Sequence, residues 1–259
     1  MGLGHWIGGA LGFITGTGPL GILAGAVLGG WVEDMLSNQQ ESSSRPHSYS
    51  EEEERNGFLF SLLVLSAYVV QADGRVMHSE MELLRTFLRH NFGEQAVEQG
   101  EDIVRRLFAQ RKNIEDREGQ MAYERLIEES CQEIAVAMSY EQRLQLLAFL
   151  CDLAKADGSV HPEEVAAVRR VASAMGVSES EIHSLLNLGE NNLDAAYAVL
   201  GISPSASDEE VRRAYKRLAL QHHPDKVASL GEDIRRAAEK KFQEIGAAKE
   251  LIYKSRGMR

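Results

Sequence analysis

Two segments of this chain, 84 positions apart from Ala72 to Ala156, repeat one pattern, Ala-Asp-Gly-x-Val-x-x-x-Glu. In each copy the Asp-Gly pair separates two stretches whose apolar residues recur at helical spacing, which indicates a helix, a turn and a second helix. One such hairpin cannot bury its own apolar face, so we expect the two copies to pack together about a pseudo-twofold axis. The repeat therefore predicts a bundle of helices.

Residues 56–188 carry the same helical signal throughout. Pro162 is the only proline in this range, and proline is well tolerated in the first turn of a helix. Ser139-x-x-Gln142 and Ser178-x-x-Glu181 have the form of capping boxes, in which a serine and a later acid or amide satisfy the first N–H groups of a helix. We expect about seven helices and no strands here, in a chain that is all-α.

The repeat also has the spacing of a calcium-binding loop, with glycine at position 6, an apolar residue at 8 and glutamate at 12. Positions 1 and 3 are Val69 and Gln71 in one copy and Leu153 and Lys155 in the other, so the first two oxygen ligands are missing. We predict no metal and no cofactor. Two interpretations stay open: a turn whose acid stabilises the next helix, or a metal site shared across the pseudo-twofold axis. The candidate ligands of the shared site are Asp73, Glu80, Asp157 and Glu164.

Charge is distributed unevenly along the 259 residues, whose net charge is −11. Residues 1–32 carry none, residues 33–190 carry 15 Lys/Arg against 29 Asp/Glu, and residues 191–259 carry 13 against 10. An acidic middle before a mildly basic end suggests two units. Nucleic acid is not an expected partner, because binding it requires a concentrated basic surface. The two cysteines form no CxxC motif, so neither a zinc site nor a disulfide framework is indicated.

The uncharged N-terminal stretch is long enough to cross a bilayer, which takes about 20 helical residues. It lacks the basic start of a signal peptide, so we predict an uncleaved membrane anchor over residues 1–32 that spans once. A helical hairpin bent at Gly16-Thr17-Gly18-Pro19 and a soluble glycine zipper are the alternatives. Two runs of glycines at every fourth position would form a smooth stripe, through which we expect two copies to pair as a homodimer. These glycines are Gly4, Gly8, Gly12, Gly16, Gly21, Gly25 and Gly29.

Residues 33–55 are polar and rich in serine and glutamate, which is typical of a flexible linker. Arg45 and Arg55 follow the anchor, whereas only the α-amino group precedes it. The positive-inside rule therefore weakly favours a cytoplasmic C-terminal part.

Residues 189–259 have the pattern of three helices. The first covers 193–200, the second runs from a cap at Ser207 to about His222, and the third covers about 233–254. Pro224 must end the second helix, because a residue before proline avoids the α region. The last two helices would form an antiparallel hairpin with His223-Pro224-Asp225 at its exposed tip.

The sequence His222-His223-Pro224-Asp225 could be a metal site, an acid/base pair or a turn. Adjacent histidines on a helix point about 100° apart, so they cannot easily share one ion. No nucleophile, oxyanion donor or glycine-rich phosphate loop is near in the sequence, so we predict no catalytic residue and no enzyme.

Together with its surroundings, this tip resembles the J-domain of the DnaJ/Hsp40 co-chaperones. The resemblance rests on Tyr197-x-Val199-Leu200-Gly201, on 211–219 (VRRAYKRLA), on 222–226 (HHPDK) and on Lys241-Phe242-x-x-Ile245. It implies a domain that docks on an ATP-bound Hsp70 and stimulates its ATP hydrolysis. The Hsp70-binding residues that it implies are His223, Pro224, Asp225, Arg212, Tyr215, Lys216 and Arg217.

The chain also departs from that family. Lys249 follows Ala248 where the family often has an aromatic residue, and there is neither a Gly/Phe-rich linker nor a CxxCxGxG zinc module. The resemblance therefore does not extend to a general client-binding Hsp40.

The doubled Ala-Asp-Gly motif resembles the tellurite-resistance TerB-like family, some members of which are suspected of binding metal. An anchor, a TerB-like domain over 56–188 and a J-domain over 189–259 are similar in layout to the DjlA-type membrane co-chaperones. This resemblance implies a bacterial inner-membrane protein that brings the Hsp70 DnaK to the cytoplasmic face. The competing hypothesis is a membrane stress-sensing scaffold, in which the TerB-like domain binds a metal ion or a partner protein.

Overall fold

A computed structural model of the chain describes residues 18–28, 51–158, 161–187 and 192–258. These residues form eleven α-helices and one 3-10 helix, with no strand among them, so the all-α prediction is confirmed for this part. Helices α1 to α8 are Pro19–Leu28, Glu51–Val70, His78–Phe92, Glu94–Glu118, Gln120–Ala137, Tyr140–Leu153, Pro162–Ala174 and Glu179–Asn187. Helix α9, helix α10, the 3-10 helix and helix α11 are Leu193–Leu200, Asp208–Gln221, Pro224–Leu230 and Glu232–Arg256.

Helices α2 to α8 form one bundle, called here the bundle domain, with α2 at its centre. Every apolar side chain from Phe58 to Val70 is almost fully buried, on all faces of α2. Helices α4, α5, α6 and α7 pack around it. A helix that is apolar all round is stable in water only when its neighbours cover it, so this segment determines where the other helices lie.

The two copies of the repeat are the hairpins α2–α3 and α6–α7, and they pack against each other through α2, α6 and α7. In each turn the glycine has a positive φ, +79° at Gly74 and +84° at Gly158. Glycine adopts this conformation without the steric penalty of a Cβ, which explains the Asp-Gly pair in both copies.

The predicted anchor is described only at residues 18–28, where helix α1 packs on the bundle domain. Leu20, Leu23, Ala24 and Val27 are buried against it, and α1 contacts α4 and α5. The Leu20 N–H donates to Glu133 at 2.9 Å. These side chains recur at helical spacing, so one face of α1 can enter the groove between α4 and α5.

No helix in the described ranges is long and apolar enough to cross a membrane, so the predicted single span is not confirmed. Of the predicted glycine stripe, Gly21 is buried within this chain and Gly25 is partly exposed. Gly4, Gly8, Gly12, Gly16 and Gly29 lie outside the described residues.

The end of the predicted linker is helical. Helix α2 begins at Glu51, within the range 33–55 that the composition assigns to a flexible tether. Arg55 donates to the Asn91 carbonyl and stacks on Phe92, with its guanidinium 4.7 Å from the ring centroid. These contacts continue α2 beyond its apolar part, whereas residues 33–50 lie outside the described ranges.

Helices α9 to α11 and the 3-10 helix form the C-terminal domain, in which α9, α10 and the 3-10 helix pack on α11. The segment between α10 and α11, where no helix was predicted, is the 3-10 helix, and its Val227 and Leu230 are buried. The 3-10 helix also packs against α2 and α6 of the bundle domain. The contacts between the two domains are called here the interdomain seam.

Candidate interaction site at the His223-Pro224-Asp225 turn

Helix α10 presents one apolar face to the C-terminal domain and one basic face to solvent. Val211, Ala214 and Leu218 are buried at spacings of three and four, which is the spacing of one helical face. Its first turn is held by the predicted capping box, in which the Ser207 N–H donates to Glu210 at 2.7 Å and the Glu210 N–H donates to the Ser207 hydroxyl at 3.3 Å.

The basic face contains four of the predicted docking residues. Arg212 and Lys216 are exposed, and Tyr215 is partly buried beneath Lys249, whose Nζ lies 5.0 Å from the ring centroid. Arg217 is half-exposed, and its Nη1 lies 3.7 Å from Glu181 Oε1 of the bundle domain. The first three residues are thus free of the seam, whereas the fourth belongs to it.

The turn after α10 is held by contacts on both sides. His222 ends the helix, with its N–H donating to the Leu218 carbonyl at 2.9 Å. Pro224 is the first residue of the 3-10 helix, and the Asp225 N–H donates to His223 Nδ1 at 3.3 Å. The Asp225 side chain is 80% exposed, so the turn presents a carboxylate to solvent from a fixed backbone.

His223 is oriented by helix α11. Its ring meets Phe242 edge to face, with the centroids 5.8 Å apart, and its side chain is 45% exposed. Phe242 belongs to the Lys241-Phe242-x-x-Ile245 motif, but its contact with His223 was not predicted. The sequence does contain a signal for this contact, because Phe242 is an apolar residue on the helix opposite the turn and could support the turn.

His222, the neighbour of His223, has a different environment. It is 2% exposed, and this burial lowers the pKa of its ring to about 4, with smaller effects from the charges of Glu181, Lys241 and Arg217. The ring is therefore neutral near pH 7. His222 is thus buried and neutral, whereas the neighbouring His223 is exposed.

The four candidate metal ligands are only partly brought together. Glu80 and Glu164 are both buried, and burial followed by the charge of Glu80 raises the pKa of Glu164 to about 7. Burial also raises the pKa of Glu80, with a contribution from the charges of Asp73 and Asp157. Asp157 pairs with His161 at 3.1 Å.

This cluster is not arranged as a metal site. Within the described ranges, no group of three or more His, Cys, Asp or Glu side chains could hold a metal ion. Glu80 instead accepts the Met77 N–H at 2.7 Å, and so caps helix α3. The two glutamates of the repeat therefore form a buried carboxyl pair between the hairpins.

Two family models match this chain. The model described as tellurite resistance protein TerB matches residues 60–187, and the DnaJ domain model matches residues 195–256. The predicted order, a TerB-like domain before a J-domain, is confirmed.

Curated proteins with the printed name Co-chaperone protein DjlA are similar over most of the chain. That of Photobacterium profundum is 26% identical over 99% of both chains, and that of Coxiella burnetii is 26% identical over 98% of this chain and 99% of its own. That of Vibrio cholerae is 28% identical over 81% and 82%. No solved structure matches the chain.

Proposed function

We propose that this chain, a TerB domain followed by a DnaJ domain in a protein that resembles the DjlA co-chaperones from end to end, is a co-chaperone that docks on an Hsp70 and stimulates its ATP hydrolysis. The docking residues are His223, Pro224 and Asp225 at the tip and Arg212, Tyr215, Lys216 and Arg217 on the basic face of α10. The chemistry takes place on the Hsp70, and the chain itself supplies only contacts.

The observation that carries the proposal is the exposed carboxylate of Asp225 on a constrained turn. Its backbone is fixed by Pro224 and by the bond to His223, whose ring rests on Phe242. A pre-organised carboxylate loses little freedom on binding and is suited to a charge-assisted hydrogen bond with an arginine of a partner. The exposed cations Arg212 and Lys216 would speed the encounter with an acidic surface.

The test is single-turnover ATP hydrolysis by DnaK with the full-length chain. Asp225→Asn should lower the stimulation at least tenfold, because a charge-assisted contact contributes about 1.5–3 kcal/mol. His223→Gln should lower it as well, because the His223 ring rests on Phe242 and its Nδ1 accepts the Asp225 N–H that fixes the turn. Glu209→Gln is the matched control, since it removes one exposed carboxylate from the first turn of α10. Full stimulation by Asp225→Asn would overturn the proposal.

We further propose that the uncharged N-terminal stretch attaches the protein to the cytoplasmic face of the inner membrane and pairs two copies. Residues 1–32 carry no charged side chain. Gly4, Gly8, Gly12 and Gly16 of the stripe, which precede α1, would allow two helices to approach closely in lipid. The resemblance to the DjlA co-chaperones over nearly the full chain supports this assignment. Its position would bring the Hsp70 to the membrane surface.

A further inference from the structure

The seam places a buried carboxylate of the bundle domain against the end of helix α10. Glu181 on α8 has an 8% exposed side chain, and its Oε1 accepts a hydrogen bond from Gln221 Nε2 at 3.0 Å. The same oxygen lies 3.7 Å from Arg217 Nη1. Glu181 also accepts from the Tyr140 hydroxyl and from Ser178. It is therefore a fixed anion beside a predicted Hsp70 contact.

A second carboxylate lies on the other side of the turn. Glu141 Oε1 on α6 is 3.5 Å from the Nζ of Lys226, the residue directly after Asp225. The bundle domain thus pairs with one cation before the turn and one after it.

Two further contacts continue the same pattern. Ser229 donates to Glu54 at 2.9 Å, and Lys241 donates to Asp152 at 2.8 Å. In all five of these contacts the bundle domain supplies a carboxylate and the C-terminal domain supplies a cation or a hydrogen-bond donor. This matches the charge difference between the acidic middle and the basic end of the chain.

The seam leaves the docking residues unequally accessible. Asp225, Arg212 and Lys216 are exposed, whereas Arg217 is paired with Glu181. A partner that binds Asp225 and Arg217 together must approach beside Glu141 and Glu181. It would compete with Glu181 for Arg217, and an acidic partner would be repelled by both carboxylates.

We propose that the bundle domain restrains the J-domain, and that an Hsp70 must separate Arg217 from Glu181 and Lys226 from Glu141 to dock fully. This inference rests on the proposed function and adds its regulation. The displacement is energetically feasible, because Arg217, Lys226 and Glu141 keep part of their exposure and such ion pairs contribute little each. A partner that pulls α6 or α8 away from the seam would therefore activate the co-chaperone.

The experiment compares wild type with the double variant Glu141→Gln/Glu181→Gln in the full-length chain. Glutamine keeps the capping oxygen that α8 needs, as Gln142 does in the capping box of α6. Glu118→Gln/Glu129→Gln is the matched control, because it removes two exposed carboxylates from α4 and α5, which pack within the bundle domain.

Two quantities are measured: the chain concentration that gives half-maximal stimulation of DnaK, and amide hydrogen exchange over Pro224–Leu230 without DnaK. The double variant should lower the half-maximal concentration about three- to tenfold. The loss of two partly exposed ion pairs accounts for a change of this size. It should also speed the exchange, while the control matches wild type in both.

The outcomes separate the two proposals. If His223→Gln abolishes stimulation but the double variant has the half-maximal concentration and exchange of wild type, the restraint is overturned and the co-chaperone function stands. If stimulation does not depend on His223 in either background, the proposed function falls. Unchanged exchange in the double variant would then also reject the restraint.

Discussion

Glu80 and Glu164 form a buried pair whose role in the fold differs from the role that their sequence pattern suggests. Both occupy the last position of the repeated motif, and both are 2% exposed. In the linear pattern this position suggests a calcium ligand. In the fold the two carboxyls face each other across the hairpins, and burial disfavours the charged form of both. The charge of Glu80 raises the pKa of Glu164 further, whereas the hydrogen bond with Glu164 lowers the pKa of Glu80.

The raised pKa of Glu164 predicts that the free energy of unfolding depends on pH. Because the folded state favours the protonated form, its contribution to stability is fully present below the pKa of an unfolded glutamate and is lost as pH rises through about 7. The free energy of unfolding of wild type should therefore fall more between about pH 5 and about pH 8 than that of Glu164→Gln.

Urea denaturation at both pH values measures this difference. Glu163→Gln, an exposed neighbour in the same helical turn, should keep the wild-type dependence. A steeper fall for Glu164→Gln than for wild type would contradict the assignment.

Among the helices, close approach is decided by a few positions where a side chain would not fit. A Cβ on Gly100 of α4 would lie 2.5 Å from Leu88 Cδ1 of α3 and 3.6 Å from Leu63 Cδ2 of α2. Leu88 is fully buried, so its side chain would have to shift among close-packed neighbours to admit the new methyl group. Gly246 of α11 has no atom within 4 Å of its Cβ position.

Gly100→Ala and Gly246→Ala should therefore shift stability in opposite directions. Overpacking at Gly100 should cost about 1–3 kcal/mol. Alanine at Gly246 should stabilise α11 by about 0.5–1 kcal/mol, because glycine is a poor helix former. Thermal unfolding followed by circular dichroism compares the two variants. A stabilising Gly100→Ala would show that α3 and α4 are not packed as described.

In the molecule as a whole, the interdomain seam joins the acidic bundle domain to the more basic C-terminal domain. Lys241 is the most buried of its cations, with a side chain that is 8% exposed, and it pairs with Asp152 and lies 3.7 Å from Glu244. The N-terminal stretch continues this assembly at α1, whose apolar face is used within the chain. The proposed pairing of two chains in the membrane therefore rests on the residues before α1.

The proposed pairing of two chains predicts the effect of changes in the glycine stripe. Gly8→Leu with Gly12→Leu should remove most of the dimer that chemical crosslinking detects in membranes, because large side chains separate two helices. Gly9→Leu with Phe13→Leu, at the same spacing but off the stripe, is the matched control. A dimer that persists in the first variant and disappears in the second would rule out the stripe as the interface.

Several features could be predicted from sequence, because spacing and backbone chemistry act over a few neighbouring residues. They are the helical class, the repeat, the turn at Pro224 and the capping boxes at Ser139, Ser178 and Ser207. The 3-10 helix was not predicted, because it packs against α2 and α6, which are far away in the chain, and because its Val227 and Leu230 are buried in the fold. The start of α2 was missed for the same reason.

By itself, the sequence determined that this chain is helical, that it contains a doubled hairpin and that a His-Pro-Asp turn follows the helix that ends at about His222. These properties depend on local periodicity and on the fixed φ of proline. Only the tertiary structure decided that His222 is buried while His223 is exposed, that Glu80 and Glu164 meet, and that Glu181 holds Arg217. These facts depend on which distant surfaces come together, and no local pattern records that.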